Sequence, residues 1–350
     1  PGQRCRSCGG DRLGGRQVGQ LPGLYRLGLR VAGQRIRIVV PSKAGRRSGN
    51  RVTARRWAGF LESLGHRVVV DVDYNREACD LLVALHAHRS AAAALRYRQR
   101  CPSGRLVMAL SGTDLYRDLD GSARGHEALA VSDRIVLLQR HGLRRLDRSL
   151  HERCRVIHQS VVVPRHLPAK ASRSFQVAVV GHLRPVKDPF LAARAVRDLP
   201  ADSRIRVVHF GAALDERMRE RAEAEMGRGL RRYFWMGNRP HWQVMRQLAR
   251  SRVMVLSSRM EGGANVVGES ISVGTPVLST RISGSIGLLG EDYGGFYEPG
   301  DVSELRRLLL EAEKESEFYS EISESCAALK SVFEPAHERR AWRELLGELK

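Results

Sequence analysis

Short apolar runs recur along this chain, each separated from the next by a segment with helical spacing. The first set is residues 36–40 (IRIVV), 67–71 (RVVVD), 80–85 (DLLVAL), 105–110 (RLVMAL), 133–138 (DRIVLL) and 153–157 (RCRVI). A second set follows at 175–180 (FQVAVV), 204–209 (RIRVVH), 232–235 (RYFW), 252–256 (RVMVL) and 275–279 (TPVLS). Runs this short and this apolar read as strands buried on both faces. Their alternation with helical segments predicts parallel sheets covered by helices on both sides. Helices are expected near 51–64, after His88, and near 188–198, 214–227, 240–250, 265–273, 301–313, 315–330 and 334–349.

Between the two sets lies a proline-containing stretch without helical period, so the chain reads as two doubly wound α/β domains. The expected division is 35–160, a linker at 161–173, 174–333, and a terminal helix over 334–350 that packs back on the first domain. Residues 1–34 are rich in Gly, Arg and Gln and lack an apolar core, so they are expected to be a disordered extension or a start-site artefact. In tandem doubly wound domains, ligands are expected where the strand C-terminal ends meet at a cleft.

Composition narrows the function. The net charge of +21 comes from Lys and Arg scattered through every segment, while aromatics are only 6%. That pattern lacks the clustered basic face and stacking rings of a nucleic-acid binder, and suits small polyanionic substrates. No apolar run approaches the length of a membrane span, so no membrane partner is expected and the chain reads as cytoplasmic. Six cysteines show one close pair, Cys5 and Cys8, without a second such pair to complete a zinc site. Asp71 and Asp73 end a strand but lack the surroundings of an acidic metal motif, so neither a metal nor a cofactor is expected.

One stretch carries most of the chemistry. Residues 257–274 place a Gly-rich turn and a helix start, near Asn265, between two strands. Free amides of Gly262, Gly263, Ala264, Asn265 and Val266 then converge at a helix N-terminus, where an anion is favoured. Glu261 and Glu269 bracket that site. A carboxylate repels phosphate, so both are better suited to accept hydroxyls of a ligand that also carries phosphate, such as a nucleotide sugar. After the strand at 175–180, the turn at 181–187 (GHLRPVK) adds Gly181, Arg184 and Lys187, cations able to stabilise a departing diphosphate.

Glu261-x7-Glu269, Arg184-x-x-Lys187, two Rossmann-like halves and a long terminal helix resemble a family 4 retaining glycosyltransferase of the GT-B fold over about residues 36–350. The resemblance implies that Glu261 contacts the donor sugar, Glu269 the ribose, and Arg184 and Lys187 the diphosphate. Residues 48–53 (SGNRVT), 82–88 (LVALHAH), 110–116 (LSGTDLY), 181–189 (GHLRPVKDP), 257–265 (SSRMEGGAN) and 287–293 (GLLGEDY) are similar to one subgroup, the selenosugar synthases of selenoneine biosynthesis. Its members join selenophosphate to the anomeric carbon of UDP-N-acetylglucosamine or UDP-glucose and release UDP. The resemblance also implies a working partnership with the other enzymes of that pathway.

Selenophosphate is already anionic and soft, so it needs an anion pocket more than a general base. Asn50, Arg51, Thr53, Ser111, Gly112 and Thr113 are candidates for that pocket, with Arg47 and Arg89 as weaker additions. His86 and His88, just past a buried strand, are candidates to orient acceptor or donor, His86 foremost. Asp114 is suited to orient a neighbouring cation or hydroxyl, and 287–293 is expected to close over the pyrophosphate or sugar. The other readings of the same residues are a glycosyltransferase acting on a sugar or lipid hydroxyl, and a basic nucleic-acid-binding protein.

Overall fold

Each apolar run becomes a strand, and every strand pairing is parallel. The structure, a computed structural model, describes residues 33–41, 49–228 and 232–349. The Cys5/Cys8 pair, Arg47 and all but the last two residues of the expected extension lie outside the described residues.

The first sheet holds β1 (Arg35–Val39), β2 (Arg67–Asp71), β3 (Leu81–Leu85), β4 (Arg105–Ala109), β5 (Arg134–Leu137) and β6 (Cys154–Val156), in the order β2-β1-β3-β4-β5-β6. Its crossovers include α1 (Gly49–Ser63), α2 (Ala87–Arg100) and α3 (Ala123–Ala130). Every residue of the central β3 is buried, as a strand covered on both faces requires.

The second sheet holds β7 (Phe175–Val180), β8 (Ile205–Phe210), β9 (Tyr233–Trp235), β10 (Val253–Leu256), β11 (Val277–Thr280) and β12 (Phe296–Tyr297), in the order β12-β11-β10-β7-β8-β9. Its helices are α4 (Leu191–Ala195), α5 (Glu216–Met226), α6 (His241–Arg250), α7 (Asn265–Ser272), α8 (Ser283–Leu289), α9 (Val302–Lys314) and α10 (Ser316–Ala328). The chain ends in α11 (Pro335–Glu348). Two Rossmann-like halves result. Strand order reverses beside β1 and β3 in one sheet and beside β7 and β10 in the other, and ligands of such sheets bind at these reversals.

The last helix is built into the first half. Trp342, Leu345 and Leu346 of α11 share a buried cluster with Ile36, Ile38, Trp57 and Leu61. The Trp57 and Trp342 rings meet edge to face at 4.9 Å. Glu338, fully buried, accepts hydrogen bonds from Trp57 Nε1 (2.7 Å), Ser160 N (2.7 Å) and Ser160 Oγ (2.5 Å). The Arg56 guanidinium lies 3.0 Å from the same carboxylate. A buried charge with this many partners is compensated, and removing it would orphan all of them.

Three of these elements, α3, α8 and β12, have no counterpart in the sequence reading. β12 is two residues long, α8 carries Gly284 and Gly287 within seven residues, and α3 has only eight residues, so none shows a usable periodicity. Among the described residues no helix is long and apolar enough to cross a membrane.

Candidate functional site

The loops that follow β7 and β10 are knitted together where the second sheet reverses. Arg259 N donates to Val186 O at 2.8 Å, and Ser257 Oγ donates to the carbonyls of Lys187 (2.9 Å) and Asp188 (3.0 Å). Asp188 sits in the left-handed region at φ 38° and takes hydrogen bonds from Arg194 and Arg259, both at 3.1 Å. Behind them, the fully buried His209 braces the first loop. Its Nε2–H donates to Gly181 O at 3.0 Å, while Nδ1 accepts from Tyr233 at 2.8 Å. Burial pushes its pKa down to about 4, so the ring is neutral. Gly211 completes the brace, because a Cβ there would stand 1.9 Å from Gly181 O.

Lys187 Nζ donates to Glu261 Oε1, which also accepts from Ser258 Oγ at 2.6 Å. Arg184 is exposed and forms no ion pair among the described residues. Next along the chain, α7 begins at Asn265 without a side-chain cap. None of the amides of Gly262 to Val266 donates a hydrogen bond among the described residues. Uncapped amides, the helix dipole and two cations from one neighbouring loop make this end of the crevice a strong anion site. In the second turn of α7, Glu269 Oε1 accepts from His241 Nε2 at 2.8 Å. The hydrogen bond and charge of Glu269 raise the pKa of His241.

The first half meets this site directly. A Cβ on Gly262 would fall 1.9 Å from Ser111 O, and one on Gly112 would fall 2.8 Å from Gly262 N. The backbones of the two facing loops therefore touch, and only glycine permits it. The Ser111 loop is anchored by Asp114, which is completely buried and accepts from Ser111 N (2.9 Å), Ser111 Oγ (2.9 Å) and Ala87 N (3.1 Å). The sequence reading offered Asp114 as an orienting group, and its partners are this backbone and one serine hydroxyl.

His86 follows β3 as the N-cap of α2, at φ 74°, an uncommon conformation for a residue with a side chain. Its Nδ1 accepts from Arg89 N at 3.3 Å, which leaves Nε2 facing Thr113 Oγ1 (3.3 Å) and Asp118 (3.4 Å). Burial lowers its pKa more strongly than the nearby Asp114 raises it. His88 is exposed and bonds Ser122 Oγ, the N-cap of α3, at 2.7 Å. Asn50 and Arg51 lie in the first turn of α1 and Thr53 opens the second. Thr53 is buried and accepts from Gln159 Nε2 at 3.2 Å.

So Gly181, Arg184, Lys187, Glu261, Gly262 and the amides to Val266 gather at one reversal, with Ser111 and Gly112 against them. Thr53 and His88 bond partners of their own half. In the expected closing segment at 287–293, Gly287 belongs to α8 and packs on Gln139, where a Cβ would stand 1.7 Å from the amide oxygen. Tyr293 is buried and donates to Val277 O at 2.5 Å, so it braces β11.

The sequence reading missed His241, Ser258, His209 and Asp118, each of which holds a candidate group. Single His, Ser and Asp residues carry no spacing signal, and only the fold brings them to their partners. Asp71 pairs with Arg37 and Asp73 with Arg96. Among the described residues no group of three or more His, Cys, Asp or Glu could hold a metal ion.

Residues 167–327 match the family model for glycosyl transferases group 1, a span that takes in the Gly181 turn and the Glu261–Glu269 stretch. Among solved structures, Anabaena Alr3699/HepE in complex with UDP and glucose superposes with a TM-score of 0.68 at 15% identity, covering 90% of this chain and 99% of that one. The fold is GT-B. Sucrose-phosphate synthase from Thermosynechococcus elongatus gives a TM-score of 0.71 at 13% identity, with 90% and 99% covered. A glycosyltransferase from Rickettsia africae gives 0.69 at 13%, with 91% and 98% covered. No curated protein matches the chain in sequence. Residues 167–327 thus resemble glycosyl transferases group 1, and the solved neighbours share the GT-B fold with this chain.

Proposed function

We propose that this chain transfers a hexose from a UDP-sugar bound chiefly by its second half, and that the acceptor is selenophosphate bound by loops of the first. The observation that carries the donor half is the set of unused amides from Gly262 to Val266 beside Lys187 and Arg184. An uncapped helix start with two neighbouring cations suits a diphosphate, and the GT-B neighbour from Anabaena was solved with UDP and with UDP-glucose.

In this reading Lys187, Arg184 and the α7 amides stabilise charge on the departing UDP. Removal of one such donor typically costs 10²–10³-fold in turnover. Glu261 accepts a hydroxyl of the sugar and Glu269 those of the ribose. The Lys187–Glu261 pair must open or be shared when the diphosphate arrives, so the two groups hold one another in place until then.

The acceptor assignment rests on the sequence resemblance to selenosugar synthases. The chemistry is compatible with it, because a selenium nucleophile already charged needs no proton removed, and His86 is buried against Asp118. Asn50, Arg51, Ser111, Gly112 and Thr113 are the groups assigned to the acceptor, with His86 and His88 orienting it. Selenium attacks the anomeric carbon, the bond to the diphosphate oxygen breaks, and UDP leaves with the electron pair.

Purified protein incubated with UDP-N-acetylglucosamine or UDP-glucose and selenophosphate, followed by mass spectrometry, tests both halves. A selenium-bearing hexose formed together with UDP is expected. UDP release only when a sugar or lipid hydroxyl is supplied would replace the acceptor assignment and keep the donor one.

A further inference from the structure

The pairing of His241 with Glu269 carries an inference beyond the roles above, and it rests on the UDP-sugar reading. Glu269 stands in the second turn of α7 with 16% of its side chain exposed, and His241 opens α6 at the mouth of the crevice with 65% exposed. Nε2 of His241 meets one carboxylate oxygen at 2.8 Å. The other oxygen accepts no hydrogen bond among the described residues.

A cation at the first position of a helix is disfavoured by the helix dipole. Here α6 nevertheless begins with a histidine, placed by Pro240 at the N-cap and by the Gly237 turn at φ 67°, whose carbonyl accepts from Gly211 N at 2.9 Å. That last contact ties the α6 start to the same loop cluster that holds Gly181. The placement therefore belongs to the strand-end face of the sheet, where the donor is expected to lie.

We propose that His241 is the positioning residue for the nucleoside of the donor. It fixes Glu269 in one rotamer by occupying Oε1, so that Oε2 alone is presented to the vicinal hydroxyls of a ribose. A carboxylate held by one charge-assisted hydrogen bond loses little further freedom when it accepts from the ligand. His241 makes no contact with the reacting atoms, so its effect falls on donor affinity.

The test measures UDP release in wild type, His241→Ala and His241→Gln, together with binding of UDP and 2′,3′-dideoxy-UDP. The alanine variant is expected to raise KM for the UDP-sugar about tenfold, the scale of one hydrogen bond to a charged group, with kcat within about twofold. The glutamine variant restores an N–H donor and should recover most of that loss. Wild type should prefer UDP over the dideoxy analogue, and this preference should shrink toward unity in His241→Ala.

If wild type itself does not distinguish the two nucleotides, the ribose role of Glu269 fails and the inference fails with it. If wild type discriminates and His241→Ala discriminates equally, the inference alone is overturned. An equal loss of kcat and affinity in both variants would also overturn it, because that pattern marks a structural role.

Discussion

At the scale of single residues, the candidate site is a set of charges held in place by their neighbours. Lys187 is positioned by Glu261 and by the Ser257 hydroxyl bonded to its carbonyl, and Gly181 is positioned by His209. Lys187→Ala should lower kcat about a hundredfold while leaving the thermal midpoint within a few degrees, measured as UDP release and by calorimetry. Wild-type turnover in that variant would remove Lys187 from the leaving-group role.

Histidine burial also sets an acid limit. His209 and His158 have pKa values pushed down to about 4 by burial, and His66, His86 and His182 are lowered for the same first cause. For such groups the unfolded chain binds protons that the folded chain refuses. For His209 and His158 that stabilisation is complete above about pH 6.5 and is lost as pH falls toward 4, by about 1.4 kcal/mol per pH unit deep in that window, and the other three contribute with the same sign. His241 has the opposite sign, since its raised pKa favours folding at low pH, but it stands alone against five. Urea midpoints should therefore fall between pH 7 and pH 5, and His209→Gln should flatten the slope.

At the scale of elements, the strands and most helices were legible in the sequence because buried parallel strands are apolar throughout. The 252–256 run and the helix start at Asn265 fall within a residue of β10 and α7. α3, α8 and β12 were not legible, since an eight-residue helix, two glycines and a two-residue strand leave little period to read. The site was legible only in part. Glu261, Glu269, Arg184 and Lys187 have fixed spacings, whereas His241 is tied to Glu269 by tertiary packing of α6 on α7.

Gly262 was legible as one of the free amides of an anion site, and its close approach to Ser111 O of the other half was not. Gly262→Ala should force the two loops apart, because the added carbon has no room. Activity is expected to fall at least tenfold, with far-UV circular dichroism unchanged, since α7 begins beyond the contact. Full activity in that variant would show that the loops separate freely during turnover.

At the scale of the whole molecule, two reversals of strand order face one another, and α11 returns from the second half to complete the core of the first. Two stretches of chain join these halves, the run near 157–174 and the connection into α11, and the structure adds Arg56 with Asn265 at 3.5 Å and Glu291 with His141 at 3.1 Å. Net charge of +21 favours approach of a polyanionic donor, and such long-range attraction weakens with salt. In the proposed reading the donor's diphosphate lies at the α7 start and its nucleoside beside Glu269.

Calorimetric titration with UDP tests that arrangement most directly. Saturable binding at one site per chain is expected, weakened at least tenfold both by Lys187→Ala and by Glu269→Ala. Absence of UDP binding by wild type, or equal binding by all three proteins, would contradict it.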